Sequence, residues 1–215
     1  MPRFTLIVGN KRYSSWSLRG WLALTATGVP FDEVVIPMDR PETRAAMLSH
    51  SAAGKVPVLK VDGLTIWDSL AIGEYLAESF PAAGLWPADP AARAVARSAA
   101  AEMHSGFAAL RGAMPMDVVE THPGRGHTPE ALADVARIVA LWAECRERFG
   151  AGGRFLFGAY GLADMMYAPV ATRLLTYGVP LDDATRAYVD AVMALPAMAE
   201  WIAAAREEPW VIDQP

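Results

Sequence analysis

Strand-like patterning stops early in this chain, and where it stops limits what the chain can fold into. FTLIV (Phe4 to Val8) is a continuous apolar run of strand length. FDEVVIP alternates like a strand, and VPVLKVDGLTIWDS reads as two strands meeting at Asp62-Gly63, a dipeptide suited to a tight hairpin turn. Between these runs, Leu18, Trp21, Leu22 and Leu24 recur at helical spacing until Gly28 and Pro30 stop them. RPETRAAMLSHSAAG has a proline near its start and Gly54 after its end, and SLAIGEYLAESF is helical again. The order is βαβ, then α, a β-hairpin and α, within residues 1–80. PAAGLWPADP (81–90) carries Pro81, Gly84, Pro87 and Pro90 and reads as a linker. Beyond it the pattern predicts only helices, at roughly 91–118, 129–149, 162–177, 183–194 and 196–206. A small α/β domain (1–80) followed by an all-α domain (91–215) is the economical reading.

Composition narrows the partners. A hydrophobic share of 53% and a net charge of −5 describe a globular protein with no electrostatic attraction to nucleic acid. The apolar runs are too short or too interrupted by charge for a membrane span, and MPRFTLIVGNKRY lacks a signal-peptide pattern. The single cysteine excludes an intrachain disulfide and fits a reducing compartment, so a cytoplasmic location is expected. His122 and His127, in THPGRGHTP, have no cysteine or carboxylate between them and read as loop residues; no metal site is expected. No G-x-S-x-G elbow supports a hydrolase. Cys145 shares a helical stripe with Ile138, Leu141, Trp142 and Phe149, which reads as a core thiol.

Three short stretches carry chemistry. RYSSWSLRGW (Arg12 to Trp21) places hydroxyls at Ser14, Ser15 and Ser17 where a helix begins. Such residues cap helices, and the same hydroxyls and free N–H groups also make an anion site; local sequence leaves both open. In KVPVL, Pro57 begins a strand and leaves Val56 beside the ladder. In WDSL, Asp68 and Ser69 stand at a helix start as possible caps.

Taken in order, SSWSLR at the first turn, GKVPVL entering the third strand and WDSLAIGEYL opening the next helix resemble the cytosolic glutathione transferases over the whole chain. The turn is similar to the zeta-class Ser-Ser-Cys-Ser-x-Arg and to bacterial members carrying Ser-Ser-Trp-Ser. The resemblance implies a thioredoxin-like α/β N-terminal domain plus an all-α C-terminal domain. It also implies glutathione as co-substrate, a small electrophile as second substrate, no metal, and a homodimer.

By the same resemblance Ser14 donates to the glutathione sulfur, with Ser15 as the fallback. Val56, before a cis Pro57, pairs with the cysteinyl backbone. Ser69 takes the γ-glutamyl carboxylate and Asp68 its ammonium, although Asp68 is one methylene shorter than the usual Glu. Lys55 and Arg40 are candidates for the glycyl carboxylate. Met103, His104, Phe107, Met114 and Met116 are candidates for the acceptor pocket. Gly161 and Asp164 stand where the family has a Ser/Thr-x-x-Asp capping box, with the hydroxyl half missing.

The implied activity is addition of the glutathione thiolate to small apolar electrophiles. A zeta-like isomerase, a glutathione peroxidase and a non-catalytic ligand-binding protein are the alternatives, and Trp16 in place of the zeta cysteine counts against the isomerase. The chemistry is plausible on magnitudes. A free thiol titrates near pH 8.5, and a hydrogen bond to charge contributes roughly 1.5–3 kcal/mol, which lowers that pKa by about one to two.

Overall fold

The computed structural model describes residues 2–212. The last three residues of the expected helical domain lie outside them. Strand β1 (Phe4–Gly9) pairs in parallel with β2 (Phe31–Ile36), Phe4 opposite Phe31. It pairs antiparallel with β3 (Val58–Val61), which turns back into β4 (Leu64–Trp67), giving the order β2-β1-β3-β4. The β3–β4 turn sets Asp62 at φ 45° and Gly63 at φ 89°, the paired positive angles of a two-residue hairpin. The apolar run of β1 is continuous because the strand is covered on both faces. Leu6 and Val8 join the main core under α1 (Ser15–Ala26) and α3 (Ser69–Ser79), whereas Ile7 packs with Ile36 and Val58 under Met47 of α2 (Thr43–His50).

After a short 3₁₀ turn at Pro81–Ala83 the described residues form α4 (Pro90–Ser105), α5 (Ala108–Ala113), α6 (Pro129–Phe149), α7 (Leu162–Thr176), α8 (Asp183–Met193) and α9 (Pro196–Arg206), with two isolated β-bridges between Phe155 and Ala159 before α7. The single helix expected over 91–118 is two. The chain leaves α4 at Gly106, where a Cβ would lie 2.8 Å from the Glu102 carbonyl oxygen, and Phe107 adopts φ 59°. Asp134 of α6 then accepts the Leu110 N–H at 2.9 Å, a tertiary tie that periodicity does not reveal.

Helix α7 is buried along nearly its whole length and packs on α1 and α4. Its start explains the missing hydroxyl. The Leu85 carbonyl accepts the Leu162 N–H at 2.8 Å, and a Cβ at Gly161 would lie 2.9 Å from that same oxygen. Buried Asp164 accepts the N–H groups of Gly161 and Leu156, each at 3.0 Å, and the Tyr188 hydroxyl at 3.0 Å. Burial pushes its carboxyl up to about 6 against those three donors. Among the described residues no single helix is long and apolar enough to cross a membrane; α8 and α9 pass that test only as a pair bent by 69°.

Candidate active site

The end of β1 delivers the chain into a turn, Asn10 to Ser14, and then into α1. Ser14 is the N-cap: its Oγ accepts the Ser17 N–H at 3.3 Å and lies 2.8 Å from the Ser17 Oγ. Ser17 is fully buried, and its Oγ also accepts the Gly9 N–H at 2.9 Å. The two hydroxyls therefore form a pair anchored to β1. Either one can donate to the other, because hydroxyl hydrogens rotate.

Ser14 opens onto a cavity of about 620 Å³. Lys55, Val56, Pro57, Asp68 and Ser69 line it, so three sequence-distant motifs meet here. The Val56-Pro57 bond is cis, and Val56 lies just outside the ladder, whose first pair is Val58 with Trp67. Gly20 of α1 lets the helix approach this loop, since a Cβ there would lie 3.0 Å from the Pro57 ring. The Ser69 hydroxyl is buried without a hydrogen-bond partner. A buried hydroxyl left so is costly unless a ligand meets it. Asp68, at φ 80°, folds Oδ1 back onto the N–H groups of Leu70 (2.8 Å) and Ala71 (3.3 Å). Its Oδ2 faces Nε2 of His104 at 3.2 Å.

Not every expected residue lines the cavity. Ser15 is buried in the first turn of α1 and does not line the cavity. Arg40 is exposed and also outside the lining. Of the five acceptor-pocket candidates only His104 reaches the cavity. Met103, Phe107, Met114 and Met116 are buried in the main core and do not line the cavity. Cys145 is a buried thiol, pushed up to about 11 by desolvation, and takes no part in the lining.

The cavity also holds residues that sequence patterning missed. Met38, Met47 and Trp67 line it from the segment after β2, from α2 and from β4. Trp16 forms another wall, with the His104 ring edge-on at 5.2 Å. Behind Trp16 stand guanidinium groups: Arg19 lies 4.5 Å and Arg111 5.1 Å from its ring centre. Arg19 is 1% exposed, donates Nε to the Met166 carbonyl at 2.9 Å, and leaves both terminal nitrogens without a protein partner. Desolvation, reinforced by Arg173 and Arg111, lowers its pKa to about 9. Arg173 is lowered to about 10 for the same reason. Positive charge behind the wall, together with the α1 N-terminus, favours an anion at Ser14.

The fold is a thioredoxin-like sheet and its helices set against a bundle of further helices. Residues 13–79 match the description "Glutathione S-transferase, N-terminal domain" and residues 93–204 match "Glutathione S-transferase, C-terminal domain". The chain belongs to the glutathione S-transferase family.

Among curated relatives, a probable maleylacetoacetate isomerase of Caenorhabditis elegans is 36% identical over 45% of this chain and 44% of its own length. The chain thus spans under half the length of the first such relatives it matches. The maleylacetoacetate isomerase of Pseudomonas aeruginosa is 29% identical over 79% of this chain and 81% of its own. Among solved structures, a glutathione transferase homolog from Burkholderia, with bound glutathione, aligns at a TM-score of 0.73 and 24% identity, covering 95% of this chain and 98% of that one. A Tau-class glutathione S-transferase from mango aligns at 0.72 and 20% identity, covering 95% and 96%. At these identities the structures speak for the fold.

Proposed function

We propose that the protein is a glutathione transferase that adds the glutathione thiolate to small apolar electrophiles. The observation that carries this reading is the meeting of Ser14, the cis Val56-Pro57 loop and the unpartnered Ser69 hydroxyl in one cavity. In this reading the Ser69 hydroxyl takes the γ-glutamyl carboxylate, and Oδ2 of Asp68, beside His104, takes the ammonium. Val56 pairs through its backbone with the cysteinyl unit, and Lys55 at the exposed rim faces the glycyl carboxylate.

The sulfur then comes to Ser14. The Ser14 hydroxyl turns from Ser17 to donate to the thiolate, and the Ser17 hydroxyl reverses to donate to Ser14 across the same 2.8 Å, which strengthens the first bond. The cations behind Trp16 and the α1 N-terminus add to the preference for the charged sulfur. Attack forms the S–C bond, the electrophile's leaving group departs with its electron pair, and the thiol proton goes to solvent.

We take residues 1–80 as the glutathione domain and 91–215 as the helical domain joined by 81–90, and the assembly as a homodimer. A light-scattering mass of a single 23.1 kDa chain at micromolar concentration contradicts the dimer. Calorimetry with glutathione tests the binding reading, and absence of binding at millimolar glutathione overturns it.

A second reading is an isomerase, in which glutathione adds to a cis double bond and leaves after rotation. The similarity to maleylacetoacetate isomerases favours it, and Trp16 in place of the zeta cysteine counts against it. Turnover of a cis-configured unsaturated diketo acid without net glutathione consumption would select the isomerase.

A further inference from the structure

The turn that delivers Ser14 is held from the far end of the chain. The Glu208 carboxylate, beyond α9, accepts the Lys11 N–H through Oε1 at 2.7 Å and the Arg12 N–H through Oε2 at 3.3 Å. Around those two bonds, Trp201 Nε1 donates to the Lys11 carbonyl at 2.8 Å and the Arg12 guanidinium grips Asp117 at 2.9 and 2.8 Å. The Ser14 N–H closes the same turn on the Asn10 carbonyl at 2.8 Å, so residues 11 and 12 lie within the loop that carries the cap.

Helix α9 does not need Glu208 to dock. Trp201 and Met198 are fully buried, and the Trp201 ring lies 5.3 Å from that of Trp21. Yet the half-buried Glu208 side chain is ordered onto backbone N–H groups two and three residues before Ser14. Fixing such a side chain costs conformational entropy, which the bonds to these N–H groups offset.

We infer that Glu208 is a positioning residue for Ser14: it fixes the turn so that the serine oxygen meets the glutathione sulfur. This inference rests on the donor role of Ser14 proposed above. Charge and positioning predict opposite signs. If Glu208 acted only as a negative charge, its removal would favour the thiolate and lower the bound thiol's pKa. If it positions Ser14, removal raises that pKa.

The experiment is ultraviolet titration of glutathione bound to Glu208→Ala, Glu208→Gln and Ser14→Ala, with calorimetric affinity and thermal melting beside it. For Glu208→Ala the expected result is a raised thiol pKa and turnover at pH 7 down by about three- to tenfold, recovering at alkaline pH, with glutathione affinity within about twofold. Glu208→Gln keeps one acceptor oxygen and should recover part of the shift. A lowered or unmoved pKa in Glu208→Ala, or a fall in melting temperature alone, overturns the role. If Glu208→Ala fails to fold, Glu208→Gln decides by the same sign. An unmoved profile in Ser14→Ala overturns the donor role and this inference with it, whereas a shift there and none in the Glu208 variants overturns Glu208 alone.

Discussion

Ser14→Ala separates a catalytic hydroxyl from a helix cap, and the structure sets the size of each effect. As a cap, Ser14 contributes one long bond, 3.3 Å to the Ser17 N–H, and its partnership with the Ser17 hydroxyl, which keeps its bond from Gly9 when Ser14 is lost. That removal should cost about 1 kcal/mol of stability. As a donor to a bound thiolate, Ser14 contributes a hydrogen bond to charge of roughly 1.5–3 kcal/mol, equal to about ten- to a hundredfold in turnover at neutral pH. Glutathione affinity should barely change, because Ser69, Asp68 and Val56 are untouched. The bound thiol should still titrate below the free value of about 8.5, since the α1 N-terminus and the arginines behind Trp16 remain. The assay is the pH profile of kcat/KM together with direct titration of the bound thiol. An unmoved profile in Ser14→Ala, with only the melting temperature lowered, refutes the donor role. A shift confined to Ser15→Ala would contradict the placement of Ser15 outside the cavity lining.

Other expectations follow from single groups. Ser69→Ala removes the unpartnered cavity hydroxyl and should raise the glutathione Kd by about tenfold, by calorimetry on the folded variant; unchanged affinity removes Ser69 from the site. Asp164 has a folded-state pKa of about 6, above its unfolded value of 3.8, so its contribution to stability is greatest below about pH 4 and is lost as pH rises through 6. Urea unfolding should show that decline, worth about 3 kcal/mol at most, and Asp164→Asn should abolish it at the cost of a lower overall stability. Cys145, buried with its thiol raised to about 11, should resist a thiol reagent at pH 8 in the native protein and react at once in denaturant; rapid native labelling would contradict its burial.

What the sequence disclosed depended on whether the physics was local. FTLIV was legible as a strand because both faces of β1 are covered, and the hairpin was legible because Asp62-Gly63 supplies its turn angles within two residues. The break between α4 and α5 was hidden. Phe107 turns to φ 59° just before α5, whose Leu110 N–H is tied to Asp134 of another helix, and the apolar spacing runs through the break undisturbed. The cavity motifs were legible for the same local reason, each being a cap or a strand start. Met38, Met47, Trp67 and the arginines behind Trp16 were not, because only the tertiary fold brings them to the cavity that His104, named among the pocket candidates, also lines. Neighbouring serines also part: Ser14 at the cap lines the cavity, while Ser15, one residue on in the first turn of α1, does not.

Asp68 shows how a local rule and a functional demand share one side chain. An aspartate at an N-cap is short enough to fold onto the N–H groups two and three residues ahead, and Oδ1 does so at Leu70 and Ala71. A glutamate reaches further but caps less well, so the missing methylene exchanges reach for a fixed carboxylate. The second oxygen then points where His104, from the helical half, meets it at 3.2 Å. In the proposed role, an anion pinned at one end by backbone N–H groups has little freedom left to lose when the glutathione ammonium arrives, and that lowers the entropic cost of binding. His104 completes the arrangement by tying the cap of α3 to α4 across the cavity edge. The residue that departs from the usual glutamate is thereby a contact between the two halves of the chain as well as a wall of the site.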